Sequence, residues 1–111
     1  MPSDRLFVQE AITASERIVT LAAGETAETL AADANTRDAL LWNFTVLGEA
    51  IGRFALKDEF PEVEWHKPVS LRNRIVHGYW SADLDILIDA AQRSVPDLLN
   101  QLTGILVKLP S

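Results

Sequence analysis

The stretch NTRDALLWNFTVLGEAIGRFALK, residues 35–57, decides the fold. Its apolar side chains Leu40, Leu41, Phe44, Leu47, Ile51 and Phe54 recur three and four residues apart, the spacing of one helix face and not the alternation of a strand. Asn35 followed by Asp38 is a loose N-terminal capping signal, so the stretch predicts one long helix from Asn35 to about Lys57. Gly48 and Gly52 lie four apart inside it and let another helix approach closely; the charges around them exclude a membrane motif. Glu49 stands among these small residues. Either it is solvated, or it takes a buried partner, for which an arginine is the natural choice.

The same periodicity extends in both directions. A first helix is capped by Ser3 or Asp4 and runs to about Ala23, burying Leu6 or Phe7, Ala11, Ile12, Ser15, Ile18, Val19 and Ala22 before Gly24 ends it. A short helix follows from Thr26 to Asp33. Downstream, Asp58 to Ser70 contains Pro61 and Pro68 and reads as a connector with a helical turn near Trp65, with His66 as a loop residue. Pro68 suits the first turn of a helix carrying Val69 to Val76 and stopping near Gly78. Asp83 and Asp85 favour the positive end of a last helix that runs to about Val107. Pro96 is expected to kink it, because Leu87, Ile88, Ala91, Val95, Leu98, Leu99 and Leu102 continue one stripe through the proline. Trp42, Trp65 and Trp80 read as packing residues. The fold class is therefore all-α, an antiparallel bundle of four main helices plus a short one, in a single domain over residues 1–111.

At 111 residues the chain forms one core, small enough that a second subunit would help to stabilise it. It contains no cysteine, which excludes disulfides and thiolate metal sites and suits a reducing cytoplasm. Residues Met1 to Arg5 lack the profile of a signal peptide, and no apolar run is long enough for a bilayer, so the expectation is a cytoplasmic protein with no membrane partner. The net charge of -6 argues against a general polyanion binder. Its distribution is uneven. Between Trp65 and Ala82 lie Lys67, Arg72 and Arg74, both histidines and no acid, so this segment carries +3 and the remainder -9. An acidic body with a basic island also suits docking onto a basic protein.

The chemistry concentrates in that island, in Arg72-Asn73-Arg74-Ile75-Val76-His77-Gly78-Tyr79. On an unbroken helix Arg72 and His77 would be about 140° out of phase and about 7.5 Å apart along the axis. If the helix ends near His77, with Gly78 in a left-handed conformation, the imidazole is free to swing back toward the guanidinium. RNA supplies its own nucleophile, the 2′-hydroxyl, so a protein need only move protons and stabilise charge on phosphorus. His77 suits the general base or acid because both its protonation states are accessible near neutrality. Arg72 suits the phosphate clamp because its planar fork grips two oxygens and keeps its charge. Asn73 is placed to orient the imidazole or the phosphate. Arg74, Lys67 and Glu49 are supporting or phosphate-binding candidates. No metal-ligand spacing or glycine-rich phosphate loop is present, so no intrinsic metal or cofactor is expected.

Leu71-Arg72-Asn73-Arg74-Ile75-Val76-His77-Gly78-Tyr79-Trp80 resembles the Arg-x4-His-x-Tyr motif of HepT-like HEPN ribonucleases, the toxins of HEPN/MNT toxin-antitoxin pairs. Arg37-Asp38-Ala39 and Asn43 through Ala50 are similar to that family's third helix, and Phe60 through Trp65 to its connector. The resemblance covers most of the chain in order. It implies a HEPN-type helical homodimer whose two Arg-His pairs line a cleft between subunits. It also implies RNA cleavage by Arg72 and His77 with Asn73 in support, and silencing by an MNT-type nucleotidyltransferase antitoxin. That antitoxin would use ATP and Mg to place AMP on Tyr79, where a bulky anion competes with RNA phosphate. Pro68-Val69-Ser70 departs from the smoother helical lead of relatives. The alternative reading of the same residues is a noncatalytic nucleotide- or RNA-binding HEPN module that assembles with a nucleotidyltransferase.

Overall fold

A computed structural model describes residues 3–78 and 83–110. Among these the chain is helical throughout, with no strand. The elements are α1 (Asp4–Ala22), α2 (Ala27–Ala32), α3 (Ala34–Arg53), a 3-10 turn at Lys57–Glu59, α4 (His66–Val76), α5 (Leu84–Asp89), a π-helical segment at Ala90–Ser94, and α6 (Val95–Lys108).

Helix α1 starts where its sequence says it should. The Ser3 hydroxyl accepts from the Leu6 amide at 3.2 Å, satisfying one of the free N–H groups of the first turn. Asp4 has a second role, its carboxylate accepting from the Ala55 amide at 2.8 Å and tying the start of α1 to the end of α3. Val8 takes the core position of the first turns, while Leu6 is 43% exposed and Phe7 packs only partly against the core. Gly24, at φ +75°, ends the helix. In α2, Thr26 and Thr29 form a reciprocal capping box, the Thr29 amide donating to Thr26 Oγ1 at 3.2 Å and the Thr26 amide to Thr29 Oγ1 at 2.8 Å.

Two boundaries of α3 differ from the sequence expectation. Its N-cap is Asp33 and not Asn35: one carboxylate oxygen accepts from the Thr36 amide at 3.1 Å and the other from the Thr36 hydroxyl at 2.7 Å. The bonds from the Thr36 hydroxyl and amide hold the Asp33 carboxyl below its ordinary value of 3.8. The helix ends at Arg53 and not near Lys57. Phe54 leaves the helix with ψ 119° and turns into the core, its ring 6.4 Å from Phe60 and 5.4 Å from Trp65. Lys57 then caps the helix from outside, its ammonium donating to the carbonyls of Phe54 (2.6 Å), Ile51 (2.9 Å) and Gly52 (3.3 Å).

Helix α4 begins at His66, so that residue is helical and not part of the loop. The Trp65 indole fixes the entry by donating to the carbonyls of Phe60 (3.0 Å) and Lys57 (3.1 Å). Pro68 falls in the first turn, where its missing N–H has no helical acceptor to satisfy. At the other end His77 and Gly78 close the helix, donating from their amides to Asn73 O (3.1 Å) and Ile75 O (2.9 Å). Gly78 adopts φ +78°, the left-handed conformation the sequence called for.

The last helix starts on Asp83, whose side chain accepts from the Ile86 amide at 3.2 Å, with Asp85 in the first turn. Pro96 lies in the first turn of α6, directly after the π-helical segment. A local widening of the helix accommodates a residue that has no N–H to return to the preceding turn. Gln92 in this segment donates to Ala22 O (2.9 Å) and Glu25 O (2.8 Å), fastening it to the end of α1.

The core lies between α1, α3 and α6. Leu40, Phe44, Leu47, Ile51 and Phe54 of the expected α3 stripe belong to one buried cluster with Val8, Ala11, Ile18, Leu98, Leu102 and Ile105. Helix α4 packs chiefly along α3. Trp65 packs against this core, but Trp42 is 65% exposed and does not; Trp80 lies outside the described residues. No described helix is long and apolar enough to cross a membrane.

Candidate functional site

The site is built where α4 crosses α3. A Cβ on Gly48 would overlap Arg72 Cβ and come within 2.8 Å of both Arg72 Cγ and the Pro68 carbonyl oxygen, so only glycine admits this approach. Gly52, one turn on, has open space where its Cβ would be. The contact at Gly48 delivers Arg72 to the α3 surface beside Glu49. Arg72 Nη2 lies 3.0 Å from Glu49 Oε2, and Arg53 Nη2 lies 3.7 Å from Glu49 Oε1. Arg72 Nη1 donates to Asn73 Oδ1 at 3.0 Å.

These contacts leave a defined remainder. A guanidinium has five N–H donors. Arg72 Nε is buried with no hydrogen-bond partner among the described residues, and one donor each from Nη1 and Nη2 is committed to Asn73 and Glu49. Each terminal nitrogen carries a second N–H with no acceptor among the described residues, available to a phosphate oxygen. The Arg72 side chain is 32% exposed, so a ligand has access to it.

His77 sits at the end of α4, exposed, with ψ 5° already outside helical values. It lies five residues beyond Arg72, about 7.5 Å further along the axis and about 140° around it, nearer the bearing of Arg74, so the helix by itself does not bring the imidazole to the guanidinium. Asn73 is exposed between them in sequence and holds Arg72 through its side chain while its carbonyl accepts from the His77 amide. Tyr79 lies outside the described residues.

Arg74 and Lys67 are placed elsewhere. Both line a groove of about 540 Å³ between α4 and the α5–α6 helix, floored by Phe44, Leu47 and Leu98. Arg74 is about 200° around the helix from Arg72 and faces away from it. Lys67 Nζ is 2.6 Å from Glu64 Oε2, and this ammonium holds the Glu64 carboxyl below its ordinary value of 4.5. The structure thus brings Glu49, Arg72 and Asn73 together and puts Arg74 and Lys67 on the other side of α4. Arg53 is the residue that sequence reasoning missed. Its signal was the i, i+4 spacing from Glu49.

A family model described as ribonuclease HepT-like matches residues 9–105. The chain belongs to this family. A Methanocaldococcus jannaschii protein named "Putative RNase" is 22% identical to this HepT-like chain over 104 residues, covering 92% of it and 86% of the relative. No solved structure matches the chain. Of the two residues expected to carry the motif, Arg72 is held at the α3–α4 crossing and His77 lies at the C-terminal cap of α4.

Proposed function

We propose that this HepT-like protein is the toxin of a HEPN/MNT toxin-antitoxin pair, a metal-independent endoribonuclease that cleaves RNA with Arg72 and His77. The observation that carries this reading is the state of Arg72: held by Glu49 and Asn73 and 32% exposed, it keeps a second N–H on each terminal nitrogen with no acceptor among the described residues, five residues before the exposed His77. Arg72 grips the scissile phosphate. The 2′-hydroxyl oxygen attacks phosphorus, the bond to the 5′-oxygen breaks, one proton leaves the 2′-hydroxyl and one joins the departing 5′-oxygen, with His77 serving one of these transfers. The products are a 2′,3′-cyclic phosphate and a 5′-hydroxyl, and DNA is not a substrate.

A homodimer completes the site. Val76 follows Arg72 by one turn of α4, Trp42 precedes Glu49 by two turns of α3, and both are exposed, at 52% and 65%. A second copy covering this apolar surface brings two Arg-His pairs to one cleft. The MNT-type antitoxin silences the toxin by directing the Tyr79 phenol oxygen onto the α-phosphorus of ATP, with Mg, releasing pyrophosphate. The resulting AMP ester sets an anion beside Arg72.

The test is incubation of purified, unmodified protein with RNA. Fragmentation that Arg72→Ala and His77→Ala each abolish supports the reading; identical behaviour of all three proteins refutes it. The second reading, a noncatalytic module, draws on the same ion pair, because Glu49 offsets the Arg72 charge. Saturable RNA binding without product favours it.

A further inference from the structure

The carboxylate of Glu49 carries two cations, and only one belongs to the motif. We infer that Arg53 binds a phosphate next to the scissile one and so extends the RNA site along α3; this rests on the ribonuclease reading above. Arg53 Nη2 and Arg72 Nη2 sit on opposite oxygens of the same carboxylate, at 3.7 Å and 3.0 Å. They are separated by no more than those two contacts and the width of one carboxylate, a span comparable to one step between phosphates on a single strand.

The direction of the extension follows from the packing. Phe54 at the end of α3 meets Trp65 at the start of α4, and Gly48 meets Pro68 and Arg72 further along, so the two helices run antiparallel. Arg53 therefore lies toward the start of α4 and His77 at its end, with Arg72 between them. A strand whose scissile phosphate rests on Arg72 with its sugar toward His77 runs its next phosphate toward Arg53.

A purely structural role fits Arg53 poorly. Its side chain is 63% exposed and its contact with Glu49 is long, an arrangement that contributes little to stability. Glu49 instead holds two guanidinium groups side by side, that of Arg53 on a side chain 63% exposed and that of Arg72 on one 32% exposed. The chain is acidic outside its basic segment, so an exposed arginine at this position adds positive charge where a polyanion must lie.

The experiment uses the RNA that the wild-type protein cleaves and the linkage at which it cuts. Arg53→Ala is expected to lower kcat/KM about tenfold, with Arg53→Lys retaining most of it. The dependence of log kcat/KM on log salt is expected to become shallower by about 0.7. A neutral methylphosphonate at one of the two flanking linkages should reproduce the loss in the wild type and add nothing in Arg53→Ala. Equal activity of wild type and Arg53→Ala overturns the inference and leaves the ribonuclease reading standing, as does an Arg53→Ala loss that adds in full to that of either methylphosphonate. A wild-type protein that cleaves no RNA removes both.

Discussion

Glu49 on α3 and Arg72 on α4 are joined by a 3.0 Å ion pair one residue from the glycine that lets the two helices touch. The pair is half exposed, so its contribution to folding is small, about 1 kcal/mol or less. Its effect on the guanidinium is larger, because a fixed fork loses less entropy when it meets a phosphate. Glu49→Ala is expected to leave the unfolding midpoint nearly unchanged while reducing RNA cleavage about tenfold to hundredfold. Glu49→Gln, which keeps an acceptor for Arg72 Nη2, should recover part of that loss. Steady-state kinetics beside a denaturant titration checks both statements.

Gly48 and Gly52 occupy the same helix face yet should respond oppositely to one added methyl. At Gly48 the new Cβ meets Arg72 and the Pro68 carbonyl, so Gly48→Ala is expected to destabilise the protein by about 1–3 kcal/mol and to displace Arg72. At Gly52 the space is open, and alanine should stabilise by about 0.5–1 kcal/mol through better helix propensity. Urea unfolding of the two variants gives the signs directly.

Much of this fold was legible in sequence where the determinant was local. The hydroxyl of Ser3, the left-handed glycines 24 and 78, and the acid at Asp83 act on residues within one turn, and each is visible in a short window. The misplaced boundaries were set by contacts across the fold. Helix α3 stops at Arg53 because the Phe54 ring packs with Phe60 and Trp65, and Lys57, read as helical, supplies the cap. The site divides in the same way. A carboxylate among small residues left Glu49 open between a solvated surface position and an arginine partner, and the structure gives a partly exposed pair, whereas the opposite bearings of Arg72 and Arg74 required knowing which face of α4 meets Gly48. Trp42 shows the limit of hydrophobicity as a guide, since it is apolar and yet 65% exposed.

Asp33 gives a pH dependence with a fixed sign. Its folded carboxyl is held below the ordinary 3.8, first by the Thr36 hydroxyl and then by the Thr36 amide. The stability it contributes is therefore complete above that ordinary value and is lost as pH falls through the lower folded one. Asp33→Asn keeps an N-cap acceptor but does not titrate. The difference in Tm between wild type and this variant should narrow from about pH 6 to about pH 2.5, and a constant difference would contradict the role given to Asp33.

The proposed silencing through Tyr79 is testable without knowing the RNA target. Intact mass of the protein coexpressed with an MNT-type nucleotidyltransferase should rise by one or more AMP units. Tyr79→Phe should show no such gain and should remain active against RNA in the presence of the nucleotidyltransferase and ATP. An unchanged wild-type mass, or modification that persists in Tyr79→Phe, excludes this residue as the acceptor.

The proposed reaction is cleavage of RNA through its own 2′-hydroxyl, with Arg72 as the clamp and His77 as the proton carrier. End-group analysis of the fragments made by the unmodified protein tests this most directly, alongside a substrate with a single 2′-deoxy sugar at the cut position. The expected result is a 2′,3′-cyclic phosphate on one fragment, a 5′-hydroxyl on the other, no cutting at the deoxy position, and no products from Arg72→Ala or His77→Ala. Fragments ending in a 5′-phosphate, or cleavage that survives removal of that one 2′-hydroxyl, would contradict it.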